Sequence, residues 1–223
     1  MRTLVFDSET TGLSKTQIIS PSTIHLWPHV VQFSYIVFDT ESNKIVKIKD
    51  SIIKVPDGFI ITEENAKIHG ITTEISLAKG TSLQPVLEEF FADFDSADHI
   101  VGHNVSFDIN MIKAELQRLI MNSFNEKLQE YLTKINTSTK FYCTMQETIE
   151  LCAIELKDKY GRSYKKFPKL VELYQKMFGV TPKNLHNSLN DVIVCLRCFI
   201  KLKYEIDIVE RSEEVKQMIK DYL

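Results

Sequence analysis

A chain of 223 residues with 43% hydrophobic side chains and a net charge of −3 can bury one continuous core, which excludes a disordered protein. Its slight acidity also excludes a general nucleic-acid coat protein, which would be basic, but not an enzyme that holds a strand end through bound cations. No apolar run reaches the length of a bilayer span. The N-terminus passes straight from Leu4-Val5-Phe6 to Asp7, without room for a cleavable leader, so the expected location is intracellular, with cytoplasm and nucleus both open.

In chain order, an apolar strand is expected near Arg2 to Phe6, then an irregular stretch containing Pro21 and Pro28. Val30 to Phe38 and Ile45 to Val55 read as strands joined by the polar turn Asp39 to Lys44, an antiparallel hairpin. Helical spacing follows at Leu83 to Phe94, and His99-Ile100-Val101-Gly102-His103 reads as a short buried strand. Ile109 to Ile120 is an amphipathic helix, and the polar stretch Asn122 to Lys140 holds another helix, where an insertion would sit. Further helices are expected at Met145 to Leu156, Pro168 to Phe178 and Ser188 to Lys203. Strands first and helix-strand alternation later predict a mixed sheet with helices around it, an α/β domain. The domain is expected over residues 1–205, with residues 206–223 as a charged helical tail that either packs on it or meets a partner. Four cysteines fit a reducing compartment. Cys195-x-x-Cys198 lies in an uninterrupted apolar helical stretch, which favours two buried thiols over a zinc or redox pair.

Three clusters carry chemistry. Asp7 and Glu9 stand two apart at the end of the first strand, so both carboxylates face one side. Such a pair repels and raises its own pKa unless a cation lies between, and carboxylate oxygens suit Mg²⁺ or Mn²⁺. Ser8, between them, should point away. His103-Asn104-Val105-Ser106-Phe107-Asp108 opens a helix, with Asn104 or Ser106 as N-cap and Asp108 in the first turn. Capping alone would explain that cluster, except for an aromatic, Phe107, set beside the acid. In the third cluster, His186 and Asp191 are five apart and converge only if His186 precedes the helix on a loop, with Asn187 or Ser188 capping. A loop histidine suits a general base; a surface histidine beside a capped helix is the plain alternative.

The order Asp7-x-Glu9, His103-Asn104-x-x-Phe107-Asp108, His186-x-x-x-x-Asp191 resembles the DEDDh family of 3′→5′ exonucleases, its proofreading branch included, over nearly the whole chain. Ile68-His69-Gly70-Ile71 and Cys143-Thr144-Met145 echo further family segments. The resemblance implies a ribonuclease H-like α/β fold, with a mixed five-stranded sheet and helices on both sides. It implies that Asp7, Glu9, Asp108 and Asp191 hold two Mg²⁺ ions, Mn²⁺ being able to substitute, and that His186 takes the proton of the attacking water. Thr10, Leu13, His69, Asn104 and Phe107 would surround the terminal nucleotide. Ser188 stands where the family usually has alanine. The implied substrate is an unpaired 3′ end, with single-stranded DNA favoured over RNA and a polymerase or other replication protein as a possible partner. An RNA-trimming exonuclease of the same fold and a non-catalytic nucleic-acid-binding polymerase accessory module are the competing readings.

A last feature stands apart from the motifs. Lys157, Lys159, Arg162, Lys165, Lys166 and Lys169 interleave with Tyr160, Tyr164 and Phe167. Such a stretch either grips phosphates and stacks bases or is a solvated loop whose aromatics fold onto the core.

Overall fold

The computed structural model describes residues 1–123 and 125–222; Phe124 and Leu223, within the two least readable predicted segments, lie outside the described residues. The chain begins with β1 (Arg2–Thr10), a 3₁₀ turn at Ile24–Leu26, and the hairpin β2 (Val30–Asp39) and β3 (Lys44–Ile52). Three helices follow, α1 (Glu63–His69), α2 (Thr73–Lys79) and α3 (Leu83–Ser96), and then β4 (His99–Gly102), α4 (Val105–Asn122) and α5 (Glu126–Thr137). The second half comprises β5 (Phe141–Cys143), α6 (Thr144–Glu147), α7 (Ile149–Cys152), β6 (Glu155–Lys157), β7 (Ser163–Lys165), α8 (Leu170–Phe178), α9 (Ser188–Tyr204) and α10 (Glu213–Tyr222).

Five strands form one sheet in the order β3-β2-β1-β4-β5. The β1–β2 and β2–β3 pairs are antiparallel, whereas β1–β4 and β4–β5 are parallel, so the sheet is mixed. Alternation along β1 and β2 divides the core. Leu4, Phe6, Phe33, Tyr35 and Val37 pack with α3, α4 and α5, and Val5, Ile36 and Phe38 pack with α9 and the turn at Ile208. Because both faces of β1 and β2 are covered, these strands read as continuous apolar runs. Phe90 of α3 anchors the first layer, with its ring centroid 5.3 Å from Phe6, 5.2 Å from Phe33 and 5.6 Å from Tyr35. The C-terminal α10 buries Val215 beside Ile208 on the α9 face.

The strand hairpin and the long helices α4 and α9 follow their hydrophobic periodicity. Two departures have local causes. The helix expected from Met145 to Leu156 breaks into α6 and α7, because the Thr148 hydroxyl bonds the Thr144 carbonyl at 2.6 Å and Ala153 turns left-handed at φ 49°. Beyond it, Leu156 belongs to β6, which pairs only with β7. Helices α1 and α2 were not expected. Each is seven residues long, is capped by a threonine hydroxyl (Thr62, Thr72) and packs in a small separate cluster around Ile61 and Ile71. Gly70, at φ 77°, ends α1 in the left-handed conformation that glycine adopts without strain, and so presents His69 at the helix terminus.

Candidate active site

The three motif clusters meet at one end of the sheet. β1 delivers Asp7 and Glu9 on its α9 side, and α9 delivers Asp191 from its first turn. One carboxylate oxygen from each of the three lies within 4.8 Å of the others. Asp108, in the first turn of α4, reaches the same place from the opposite face of the sheet. Ser8 makes the connection. Its side chain points away from Asp7 and Glu9, as strand alternation requires, and its hydroxyl and peptide N–H both donate to Asp108 Oδ1, at 2.6 and 3.0 Å.

The start of α9 is tied to β1 just as closely. The Ser188 hydroxyl donates to the Asp7 carbonyl at 2.7 Å, and the Ser188 N–H donates to Gln32 Oε1 at 3.2 Å. A serine where the family usually has alanine therefore adds a bond between two elements that each carry an acid. Asn187 is the helix N-cap, accepting the Asn190 N–H. His186 precedes it with φ 67°, a conformation uncommon outside glycine, and its N–H donates to Asp191 Oδ2 at 3.0 Å. Its imidazole is on the exposed side of the cleft.

Four acids so placed bind protons more tightly than free carboxylates do. Burial, and then the charges of Asp108, Asp191 and Glu9, raise Asp7 well above the usual carboxylate range. Burial and the charges of Asp191 and Asp108 push Glu9 up to about 8. Burial carries Asp108 and Asp191 to about 7, against the bonds donated by Ser8 and by His186 respectively. Each shift has the sign of a missing positive charge. An oxygen-only donor set with this deficit fits a hard divalent cation.

Around the acids lies an open cavity of about 490 Å³, lined by Asp7, His103, Asn104, Phe167, Lys169, His186 and Asp191 among others. Of the residues expected around a terminal nucleotide, Asn104 lines this cavity. It takes the N-cap position of α4 in a left-handed conformation, without the expected side-chain capping bond. Leu13 and Phe107 line a separate adjoining groove of about 240 Å³. Leu13 is 80% exposed, while Phe107 leans on the core. The Thr10 hydroxyl bonds the Gly12 carbonyl, shaping the turn after β1. His69 is buried; its Nδ1 accepts the Ile71 N–H, and its Nε2 has no hydrogen-bond partner among the described residues. Cys195 and Cys198 are buried and free, Cys195 packing towards the sheet and Cys198 towards α8.

His103 has a role its motif did not reveal. A carbonyl only accepts, so His103 Nε2 donates to Pro168 O, at 3.0 Å, and Nδ1 accepts the Thr144 hydroxyl, also at 3.0 Å. Burial holds its pKa down to about 4, so the ring is neutral at physiological pH. It bridges the end of β4, the start of α6 and the residues before α8, contacts up to 65 positions apart that sequence spacing does not register.

Residues 4–199 match the exonuclease family profile, RNase_T. The chain belongs to this exonuclease family. It is 26% identical over 157 residues to the DNA polymerase III subunit epsilon of Buchnera aphidicola subsp. Acyrthosiphon pisum (strain APS), covering 67% of this chain and 53% of that protein. Its fold is similar to that of E. coli exonuclease I, at TM-score 0.62 and 17% identity, covering 94% of this chain and 42% of the other. Exonuclease I in complex with a dT13 oligonucleotide aligns at TM-score 0.60 and 19% identity, covering 92% of this chain and 42% of that one. The exonuclease-family chain thus has the ribonuclease H-like α/β fold expected from its motifs, and spans about half the length of the curated relative it matches. Among the described residues no helix is long and apolar enough to cross a membrane.

Proposed function

We propose that this chain is a divalent-metal-dependent 3′→5′ exonuclease that releases nucleoside 5′-monophosphates from unpaired 3′ ends. The observation that carries the reading is the convergence of Asp7, Glu9 and Asp191 within 4.8 Å beside an open cavity lined by Asp7 and Asp191, with the charge of Asp108 raising the pKa values of Asp7 and Glu9. Asp7, Glu9, Asp108 and Asp191 would hold two Mg²⁺ ions, or Mn²⁺. Bound there, the ions supply neutralisation of the phosphodiester charge and of the departing oxyanion.

His186 is the proton acceptor. Its backbone is fixed by Asp191 while its imidazole remains exposed at the cavity, so it can take a proton from water as the water oxygen bonds to phosphorus. The bond from phosphorus to the 3′ oxygen breaks, and that oxygen leaves on the shortened strand and takes up a proton from solvent water. Thr10, Leu13, His69, Asn104 and Phe107 bind the terminal nucleotide. Leu13 and Phe107 offer an apolar edge against which the last base separates from its neighbour. Residues 1–205 constitute the exonuclease domain, with residues 206–223 as its tail.

Single-stranded DNA is the proposed substrate. E. coli exonuclease I has been seen with DNA oligonucleotides and shares the fold, and the epsilon relative, a polymerase subunit, makes a polymerase a natural partner. The test is digestion of DNA and RNA oligonucleotides labelled at either end, with Mg²⁺, Mn²⁺ or EDTA, alongside Asp7→Ala. A metal-dependent ladder from the 3′ end, absent in the variant, is expected, and the DNA and RNA ladders rank the two substrates. Binding of strands without degradation under any metal would replace this reading with that of an accessory module.

A further inference from the structure

The basic and aromatic stretch after α7 is not a loop folded onto the core. It is the hairpin β6–β7, closed at its tip by Asp158, whose Oδ1 accepts the Tyr160 and Arg162 N–H groups, and at its base by Lys166 N–H to Ile154 O. Among the described residues the hairpin pairs with no other strand, and a two-stranded ribbon alone is marginal in water. Its register places Leu156 opposite Tyr164 on one face and Lys157 opposite Ser163 on the other. Tyr164 is 49% exposed, Tyr160 at the tip 71%, and Phe167 at the base 54%. Lys165 and Lys166 are neutralised by Glu150 and Glu172, but Lys157, Lys159 and Lys169 have no ion pair among the described residues. Lys159 instead lies 5.0 Å over the Tyr160 ring.

The hairpin is fastened to the cavity. Phe167 and Lys169 line it together with Asp7 and Asp191, and His103 holds the intervening Pro168 carbonyl. Exposed rings alternating with unpaired cations, on an arm fixed at the rim of a phosphodiester site, match an unstacked polyanion whose repeating unit carries one phosphate and one flat base.

Resting on the exonuclease reading, we propose that Glu155–Lys165, with Phe167 and Lys169, is an extended subsite for single-stranded nucleic acid. Bases on the 5′ side of the terminal nucleotide stack on Tyr164 and Phe167, and their phosphates meet Lys157, Lys159 and Lys169. The arm contributes to the binding of long strands and nothing to the smallest substrates, which end before reaching it.

The experiment compares the wild type with the triple variant Lys157→Ala, Lys159→Ala, Tyr164→Ala and with Tyr164→Phe alone. Three quantities are measured: hydrolysis of the p-nitrophenyl ester of thymidine 5′-monophosphate, hydrolysis of a long oligothymidylate, and anisotropy of the same labelled oligonucleotide in EDTA. The triple variant should keep its melting temperature and its rate on the ester, and bind the oligonucleotide at least about fivefold more weakly for the lost stacking alone. Its salt slope should fall by about 1.4, at about 0.7 per lost phosphate contact. Tyr164→Phe, which keeps the ring, should behave as wild type. Unchanged oligonucleotide binding and salt slope in the triple variant would overturn the subsite while leaving the exonuclease reading intact, and would point to a protein partner for the arm. Hairpin-dependent binding without hydrolysis of either substrate would retain the subsite and remove the exonuclease reading. A wild type that neither binds nor hydrolyses would overturn both.

Discussion

Replacing Glu9 with glutamine should stabilise the metal-free protein at alkaline pH while disabling it. Among the described residues Glu9 makes no hydrogen bond that an amide would lose, and burial together with Asp191 and Asp108 raises its pKa from 4.5 to about 8. The folded protein therefore binds a proton that the unfolded chain has already released between these two values. This contribution is fully present below the unfolded pKa, near 4.5, and is lost as pH rises through about 8. At about 1.4 kcal/mol per pKa unit, the full shift corresponds to about 5 kcal/mol. Partial exposure of Glu9 and sharing of the repulsion among three other acids reduce this to roughly 2 kcal/mol. For a domain of this size that is a rise of about 4–8 °C in melting temperature. The assay is thermal melting in EDTA at about pH 5 and about pH 9, on either side of the transition, followed by Mn²⁺ titration at the higher pH. Glu9→Gln should match the wild type at the acid end and melt above it at the alkaline end. Saturating Mn²⁺ should raise the wild type, by about 2.7 kcal/mol at a hundredfold excess over Kd, and the variant less. A variant that melts at or below the wild type in EDTA at about pH 9 would refute the argument that these carboxylates share an uncompensated charge.

Other perturbations test the supports of the site. Ser8→Ala removes the hydroxyl that fixes Asp108 at 2.6 Å; it should cost about 1–3 kcal/mol of stability and lower activity more by weakening metal binding than by unfolding, read from a metal titration of the rate. Phe90→Ala, at the centre of the aromatic layer, should cost about 3–5 kcal/mol by chemical denaturation, and a loss under about 1 kcal/mol would contradict the packing described. His103→Ala leaves the Pro168 carbonyl without its donor; limited proteolysis should then cut earlier between Lys157 and Lys166, and an unchanged cleavage pattern would separate His103 from the arm.

Much of this architecture was legible in the sequence because it is local and periodic. The strand β1, the β2–β3 hairpin, α4 and α9 announce themselves by apolar runs, alternation or helical spacing, and the Asp7–Glu9 pair, Asp108 and Asp191 sit at the ends of β1, α4 and α9. Their order alone resembled a family, and the profile match over residues 4–199 agrees. The three-residue β5 was not legible, since it is a strand only through its pairing with β4. Nor was the break after Glu147, where one threonine hydroxyl outcompetes a helix that propensity favoured.

What the sequence by itself determined is the inventory: two acids on one face of a strand, two more in the first turns of helices, and a histidine just before the last of them. Periodicity is a property of neighbouring residues, so it survives without the fold. Only the tertiary structure decided which groups touch. Ser8 holds Asp108 across 100 positions, Ser188 reaches Asp7 across 181, and His103 reaches Pro168 across 65. The exposure of Tyr160, Tyr164 and Phe167 was likewise undecided until the hairpin's position was known. Contacts of that kind depend on how the layers pack around the sheet, and no spacing along the chain encodes the distance between them.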